Sequence, residues 1–488
     1  MTEPCDLSAT EARLLIGARR LSPVELLRSF VRRVETVDHA VNAIVARDFE
    51  AAQVAAKKAE VAVMAGEKLG LLHGLPIGVK DLEDTKGLRT TYGSAKFTDH
   101  LPVADQNLVA DIRRAGGIIL GKTNTSEFGF GASACNEVYG ATGNPFDPVK
   151  VVGGSSGGSA AALATGMVPL ATGSELGGSL RNSAAFCGVV GMRPTPGLVP
   201  SERRQLGALS LSSLGPMARS IADLALLLSA IARHERHDML GFPSAKIERI
   251  EPADLGTLRI AFSHDLGFAP TSQAVRGLFA KRNRRLASLF AVADNAAPDC
   301  SGAEEIFCIL RAVSFLAAFG ATYRICPEHL GAAIRANVEE GIRYSAEQVA
   351  GALAAQTLLY QRWQKFFDRY DLLITPSVTI QPRHWTEPYP TEIDGKPTRS
   401  SYDWVALTYA VTIVGHPAIS LPLGTDADGM PFGIQLIGKR HGDTKLLQAA
   451  LALEFFCALE PDLAPPVPNI AALASAPALR NAAPGLRR

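Results

Sequence analysis

Between Gly153 and Thr195 the chain reads GGSSGGSAAALATGMVPLATGSELGGSLRNSAAFCGVVGMRPT, and this stretch constrains the fold most. It holds two glycine-flanked serines, Ser155 and Ser179, joined by an alanine-rich segment. Glycine at such density raises the entropic cost of ordering the backbone. It is tolerated where the chain turns sharply or passes very close to a ligand. The segment from Ser159 to Thr165, SAAALAT, has side chains small enough for a helix to lie against a sheet. Two glycine loops, each presenting a serine, on either side of such a helix point to an active site.

Short apolar strands accompany the stretch. Leu75-Pro-Ile-Gly-Val-Lys80-Asp81 reads as a strand ending in a lysine, a residue ordinarily solvated in such a place. An amphipathic helix follows from Asn107 to Ala115, then a strand from Gly117 to Leu120, and later a strand from Val168 to Thr172. Strand, helix and strand in quick succession predict an α/β fold with parallel pairs. Residues 8–65 read as helical, with capping boxes at Ser8-Ala-Thr-Glu11 and Ser22-Pro23-Val-Glu25. Residues 303–367 read as mostly helical, and 377–400 as a proline-rich loop bordering a pocket. The tail beyond about Pro465, rich in Ala and Pro, is expected to pack little.

Composition excludes several classes. The 488 residues are 47% hydrophobic and 20% charged, which suits a globular chain, and a net charge of +1 gives no electrostatic argument for nucleic acid or an anionic membrane. No apolar run is long enough to read as a membrane span, and the first residues do not read as a secretory signal. The basic run Lys281-Arg282-Asn-Arg284-Arg285 reads as a solvated helix face. Seven scattered cysteines form no C-x-x-C pair and no Cys/His cluster, so neither a zinc site nor a disulfide framework is expected. Reduced thiols in a cytoplasmic protein follow as the expectation.

A serine hydroxyl needs a base to become a nucleophile. None of the ten histidines stands in a telling context; His73 and His416 read as structural. Lys80 is the other candidate, since burial lowers a lysine pKa from about 10.4 toward neutrality. One serine then attacks while the other relays the proton. Glu175-Leu-Gly-Gly-Ser179 suits attack, because consecutive N–H groups at Leu176, Gly177, Gly178 and Ser179 can converge on one oxygen as an oxyanion hole. Two competing readings exist. Gly153-Gly-Ser155-Ser-Gly157 matches the G-x-S-x-G elbow of an α/β-hydrolase esterase, which leaves Lys80 and Ser179 idle. A phosphate-cradling loop lacks the G-K-[ST] that should follow it.

The chain resembles the amidase signature family. The matching stretches are Gly74 to Asp81, Gly121-Lys-Thr-Asn124, Gly153 to Ala161, Gly177-Gly-Ser-Leu-Arg181, Ala184 to Gly188 and Gly215-Pro-Met-Ala-Arg219, in order. The resemblance implies a Ser–cis-Ser–Lys triad in which Ser179 is the nucleophile, Ser155 the bridging serine after a cis peptide, and Lys80 the base. It places the oxyanion hole at Leu176 through Ser179, and Gly129, Phe130 and Ser155 against the substrate. It implies one domain over residues 1–470, with its signature core at about 70–225, pocket helices at about 300–370, and an Ala/Pro-rich tail at 471–488. The implied fold is a mixed, mostly parallel sheet between layers of helices. The implied reaction is hydrolysis of an aryl or hydrophobic amide, anilide, hydrazide or carbamate through an acyl-enzyme. No metal or cofactor is called for, the partner is a small amide-type substrate rather than nucleic acid or membrane, and a homodimer is compatible with the reading. The catalytic component of a tRNA-dependent amidotransferase shares the signature. Its usual Ala-Arg-Tyr-Asp-Gly segment is not found in residues 300–350. Where the family usually has Thr-Asp, this chain has Ser174-Glu175; glutamate keeps the charge that would hold the loop against Arg181 and adds one methylene. Ser183 replaces a frequent proline. Phe128, Phe130, Phe307, Phe315, Phe319 and Trp385 read as core residues or as an aromatic pocket lining.

Overall fold

The computed structural model describes residues 3–243, 247, 250–387 and 389–479. Among them the central element is a mixed sheet of eleven strands. In chain order these are β1 (Ile44–Arg47), β2 (Pro76–Lys80), β3 (Ile118–Thr123), β4 (Leu170–Glu175), β5 (Val190–Arg193), β6 (Ser213–Ala218), β7 (Arg259–Phe262), β8 (Val292–Asn295), β9 (Leu372–Pro376), β10 (Ala418–Thr425) and β11 (Pro431–Gly438). Across the sheet they run β1-β3-β2-β4-β6-β5-β10-β11-β9-β7-β8. β2 is parallel to β3 and β4, and β7 is parallel to β8 and β9. The other neighbours are antiparallel. The mixed sheet is as expected, but antiparallel pairs are in the majority. The reason lies in the connections: β10 turns directly into β11, which only an antiparallel pair permits.

Both faces of the sheet are covered. In β9, Leu372 and Ile374 enter one buried apolar cluster while Leu373 enters the other, which is the period of a strand buried on both sides. The helices Ile221–Ile231 and Asp443–Ala458 belong to the first cluster. Ala303–Ile325, Ala346–Phe367 and Ala406–Val414 belong to the second. Among them, Ala303–Ile325 is long and apolar enough to cross a membrane by length and composition alone. It buries Ile306, Phe307, Ile309 and Leu310 within the fold.

Local chemistry accounts for several elements. Ser8 and Glu11 form the anticipated reciprocal capping box. At Ser22 the box is half made: its oxygen accepts from the N–H groups of Val24 and Glu25, but its hydroxyl donates to Glu60. The helical reading of residues 8–65 also hides β1, a four-residue edge strand paired with β3. The tail needs a larger correction. Ile470–Ser475 is a short helix capped by Asn469, Leu473 is buried, and the Leu479 N–H donates to the His39 carbonyl at 2.8 Å. The part of the tail beyond Leu479 lies outside the described residues.

One contact positions the site directly. The small-residue helix Gly157–Ala164 presses its first turn on the end of β3, and a Cβ at Gly158 would stand 2.2 Å from the Asn124 nitrogen. Only glycine fits there.

Candidate active site

Lys80 is the last residue of β2 and is fully buried. Its N–H donates to Thr172 Oγ1 on β4 at 2.9 Å, which fixes the strand end where the side chain departs. Burial pushes the amine down from its ordinary range to about 7, with Glu83 and Glu175 pulling the other way. Nζ lies 2.8 Å from both Ser155 Oγ and Ser156 Oγ, and 3.0 Å from Ser174 Oγ and 3.2 Å from the Ser174 carbonyl. A neutral amine has one lone pair and two N–H groups. In that form it can accept the Ser155 proton while donating to the Ser156 and Ser174 oxygens.

Ser155 is buried and follows a cis peptide at Gly154. Ser156 was not singled out from the sequence, and Ser174 only as a departure from the family pattern. Ser156 Oγ donates to the Ser174 carbonyl at 3.1 Å, so the two loops that carry them are tied together beneath the lysine. β4 extends to Glu175, further than its apolar run suggests, and delivers Ser174 to this position.

A cavity of about 1140 Å³ opens onto these groups. Ser155, Ser179, Leu176, Gly177 and Gly178 line it, as do Gly129 and Phe130. Lys80 and Ser155 are thus brought into contact, while Ser179 stands on the same wall with its hydroxyl unpartnered among the described residues. The N–H groups of Gly177, Gly178 and Ser179 likewise donate to no group among the described residues. Gly178 has φ 143°, and a Cβ there would stand 2.2 Å from Thr408 Oγ1, so the loop requires glycine. Thr408 Oγ1 in turn donates to the Gly177 carbonyl at 2.7 Å, turning that oxygen away from the cavity's free donors. Gly129 has φ 75°, and a Cβ on it would stand 3.5 Å from Ser155 Oγ.

Behind the loop sits a buried ion cluster. Glu175 pairs with Arg181 and, at 3.4 Å, with Arg193, all three side chains being fully buried. It also accepts from the Leu180 N–H at 3.2 Å. Burial would raise its carboxyl, but the two guanidinium groups outweigh that and hold it below the ordinary carboxylate range. The charge expected at Glu175 and its pairing with Arg181 are both present.

Histidine plays no part in this wall. No histidine lines the cavity among the described residues. His73 bonds the Ala59 carbonyl at 3.0 Å, and His416 bonds the Gly438 carbonyl at 2.8 Å with its pKa lowered by burial to about 4. Ser155 therefore meets a lysine, and the histidine that the esterase elbow reading calls for is not among the described residues that line the cavity.

The far wall is aromatic. Phe128, Phe130, Phe307, Phe315, Phe319 and Trp385 all face the cavity, and Trp385 comes from the proline-rich segment expected to border it. Arg311 and Glu83 face it too, and neither was singled out from the sequence. Both are nearly fully buried. A charged residue inside an apolar helical stripe was the available signal for Arg311. An amine of lowered pKa, two hydroxyl groups and unpaired backbone donors in one site are the parts of acyl-transfer chemistry.

A family model described as Amidase matches residues 25–447. The chain is 33% identical over 459 residues to an acylamidase of Rhodococcus erythropolis, covering 92% of this chain and 95% of that protein. It is 32% identical over 471 residues to a glutamyl-tRNA(Gln) amidotransferase subunit of Picosynechococcus sp., covering 90% and 95%. The crystal structure of a bacterial aryl acylamidase superposes with a TM-score of 0.88 at 26% identity, covering 96% of this chain and 99% of that one.

Proposed function

The chain belongs to the amidase signature family, and on that premise we propose that it is a free-standing amidase acting on a small aryl or hydrophobic amide, anilide, hydrazide or carbamate. The carrying observation is the buried Lys80 amine, near pKa 7 and bonded to Ser155 beneath a loop of unpaired N–H groups. In this reading Ser179 Oγ attacks the amide carbon as its proton passes through Ser155 to neutral Lys80. The oxyanion is received by the N–H groups of Leu176 through Ser179. The proton returns through Ser155 to the leaving nitrogen, the C–N bond breaks, and amine departs from an acyl-enzyme. Water then adds to the acyl carbon, giving up its proton along the same path, and the acid leaves. Ser156 and Ser174 position the lysine. Gly129 and Phe130 lie against the substrate beside Ser155. The seven unpaired cysteines support a reducing, cytoplasmic setting.

The test is a hydrolysis screen of the purified chain over primary amides, anilides, hydrazides and esters. The expected result is turnover of aryl amides, an acyl adduct on Ser179 by mass spectrometry, and loss of both in Ser179→Ala. An adduct on Ser155 would overturn the assignment. The second reading, a component of a tRNA-dependent amidotransferase, draws on the identity to such a protein. It requires that the lone chain be inactive on small amides and gain glutaminase activity only with partner proteins.

A further inference from the structure

The helix Ala303–Ile325 presents Phe307, Arg311, Phe315 and Phe319 to the cavity at four-residue spacing, one above the next on a single face. Each aromatic has an anchor. The Phe307 ring comes within 3.0 Å of where a Cβ on Gly177 would stand, so this end of the stripe abuts the loop of free N–H groups. Phe315 meets Phe130, and Phe319 meets Phe128, each with ring centroids 4.8 Å apart. Arg311 interrupts the stripe one helical turn, about 5–6 Å, beyond Phe307.

Its environment is incomplete. Arg311 is 1% exposed. Nη2 donates to Glu340 at 2.6 Å, and the guanidinium lies over the Tyr402 ring at 4.2 Å. Nε and Nη1 have no acceptor. Arg181, equally buried, shows the contrast: its donors reach Glu175, Gln435, Thr408 and Thr412. Buried donors left unmatched are costly; Arg282 leaves the same two nitrogens unmatched, but Arg311 stands on the cavity wall, where a ligand can match them. Glu340 is a third exposed and also accepts from the Tyr344 hydroxyl at 3.1 Å, so its hold on the Arg311 charge is shared and solvent-screened.

Building on the amidase reading, we infer that Arg311 selects substrates carrying a carboxylate about one helical turn from the scissile carbonyl, on an otherwise aromatic body. The stripe supplies the surface for the ring, and the guanidinium, held over the Tyr402 ring, supplies a fixed charge-assisted donor. Arg311 is a binding residue in this account and takes no part in proton transfer.

The test pairs acetanilide with 3- and 4-acetamidobenzoate. The wild type is expected to favour one carboxylated substrate over acetanilide by about 10- to 100-fold in kcat/KM, mainly through KM. Arg311→Met should collapse that ratio to near one, and Arg311→Lys should keep part of it. A wild-type ratio near one, or a ratio unchanged in Arg311→Met while both rates fall together, would overturn selection and leave a structural arginine. Calorimetric binding of the same three compounds to full-length Ser179→Ala reads selection without turnover. Preference there with no hydrolysis by the wild type would count against the amidase reading alone; equal binding would count against the selection alone.

Discussion

The two walls of the cavity are held by different forces. On the wall made by β2, β4 and the glycine loops, polar groups fix one another: Lys80 Nζ has four oxygen neighbours, and Glu175 has two guanidinium groups and a backbone N–H. Each is placed by several directional bonds, so moving one disturbs the rest. On the wall made by Ala303–Ile325, rings meet edge-on or tilted and one arginine keeps two unmatched donors. Such packing is weakly directional and tolerates exchange of side chains of similar volume. On the proposed mechanism, the difference would let one reaction be kept while the substrate changes, with the chemistry in the network and the selection in the packing.

The strongest way to break this comparison is to remove a member of the network and find the rate unharmed. Lys80→Met is expected to lower kcat/KM on a fixed anilide by about 10⁴-fold or more, since the residues act as a unit. Ser155→Ala should cost about 10²- to 10⁴-fold, the range for a lost proton-transfer group. Steady-state kinetics beside a melting curve tests both. Full activity in Ser155→Ala would remove the relay from the mechanism.

Next in size is stability. Glu175→Gln leaves Arg181 and Arg193 buried without their counter-charge, and breaking such a pair costs about 3–5 kcal/mol. Urea denaturation should show the midpoint falling with little change in slope. The sign with pH follows from the cause. Glu175 is held below the ordinary carboxylate value in the folded state, so its contribution is present above that ordinary value. It is lost as pH falls through the lowered, folded value, and the Glu175→Gln deficit should shrink there. On the other wall, Phe130→Ala should leave stability less affected and change KM by about 3- to 10-fold.

Legibility in the sequence divides along the same line. Ser155 and the Leu176–Ser179 loop were legible because tight backbone turns demand glycine, and glycine leaves a mark in the chain; Lys80 was legible as a lysine ending an apolar strand where no histidine stood in a telling context. Ser156 and Ser174 sit inside the same motifs, yet their role under the lysine depends on how far β4 extends, which its apolar pattern understates. β1 was hidden because four residues between two helices carry too little periodicity to register. Ala406–Val414 was missed because it is buried all round and shows no polar face. Arg311 is marked in the sequence only as a charge inside an apolar helical stripe; what it faces depends on separate segments closing around it, and no local spacing encodes that. The tail reads as loose by composition, but Leu473 buries against the helix Pro23–Val41.

Glu83 is the exception within the ordered wall, and the smallest expected effect belongs to it. Both carboxyl oxygens are buried without a partner, and burial raises its pKa to about 7, with Lys122 and Lys80 opposing. The proposed mechanism requires neutral Lys80, so kcat/KM should rise with pH, reach half its limit near 7 and then level. A negative charge at Glu83 raises the Lys80 pKa, and Glu83→Gln removes it. The half-point should therefore move to lower pH. The shift should stay under about one unit, because Glu83 is itself only part ionised over the range in which Lys80 titrates. A pH profile of kcat/KM for both proteins decides it. A half-point that stays fixed would mean that the two groups do not sense one another, and one that moves upward would give their coupling the opposite sign; either sinks this account.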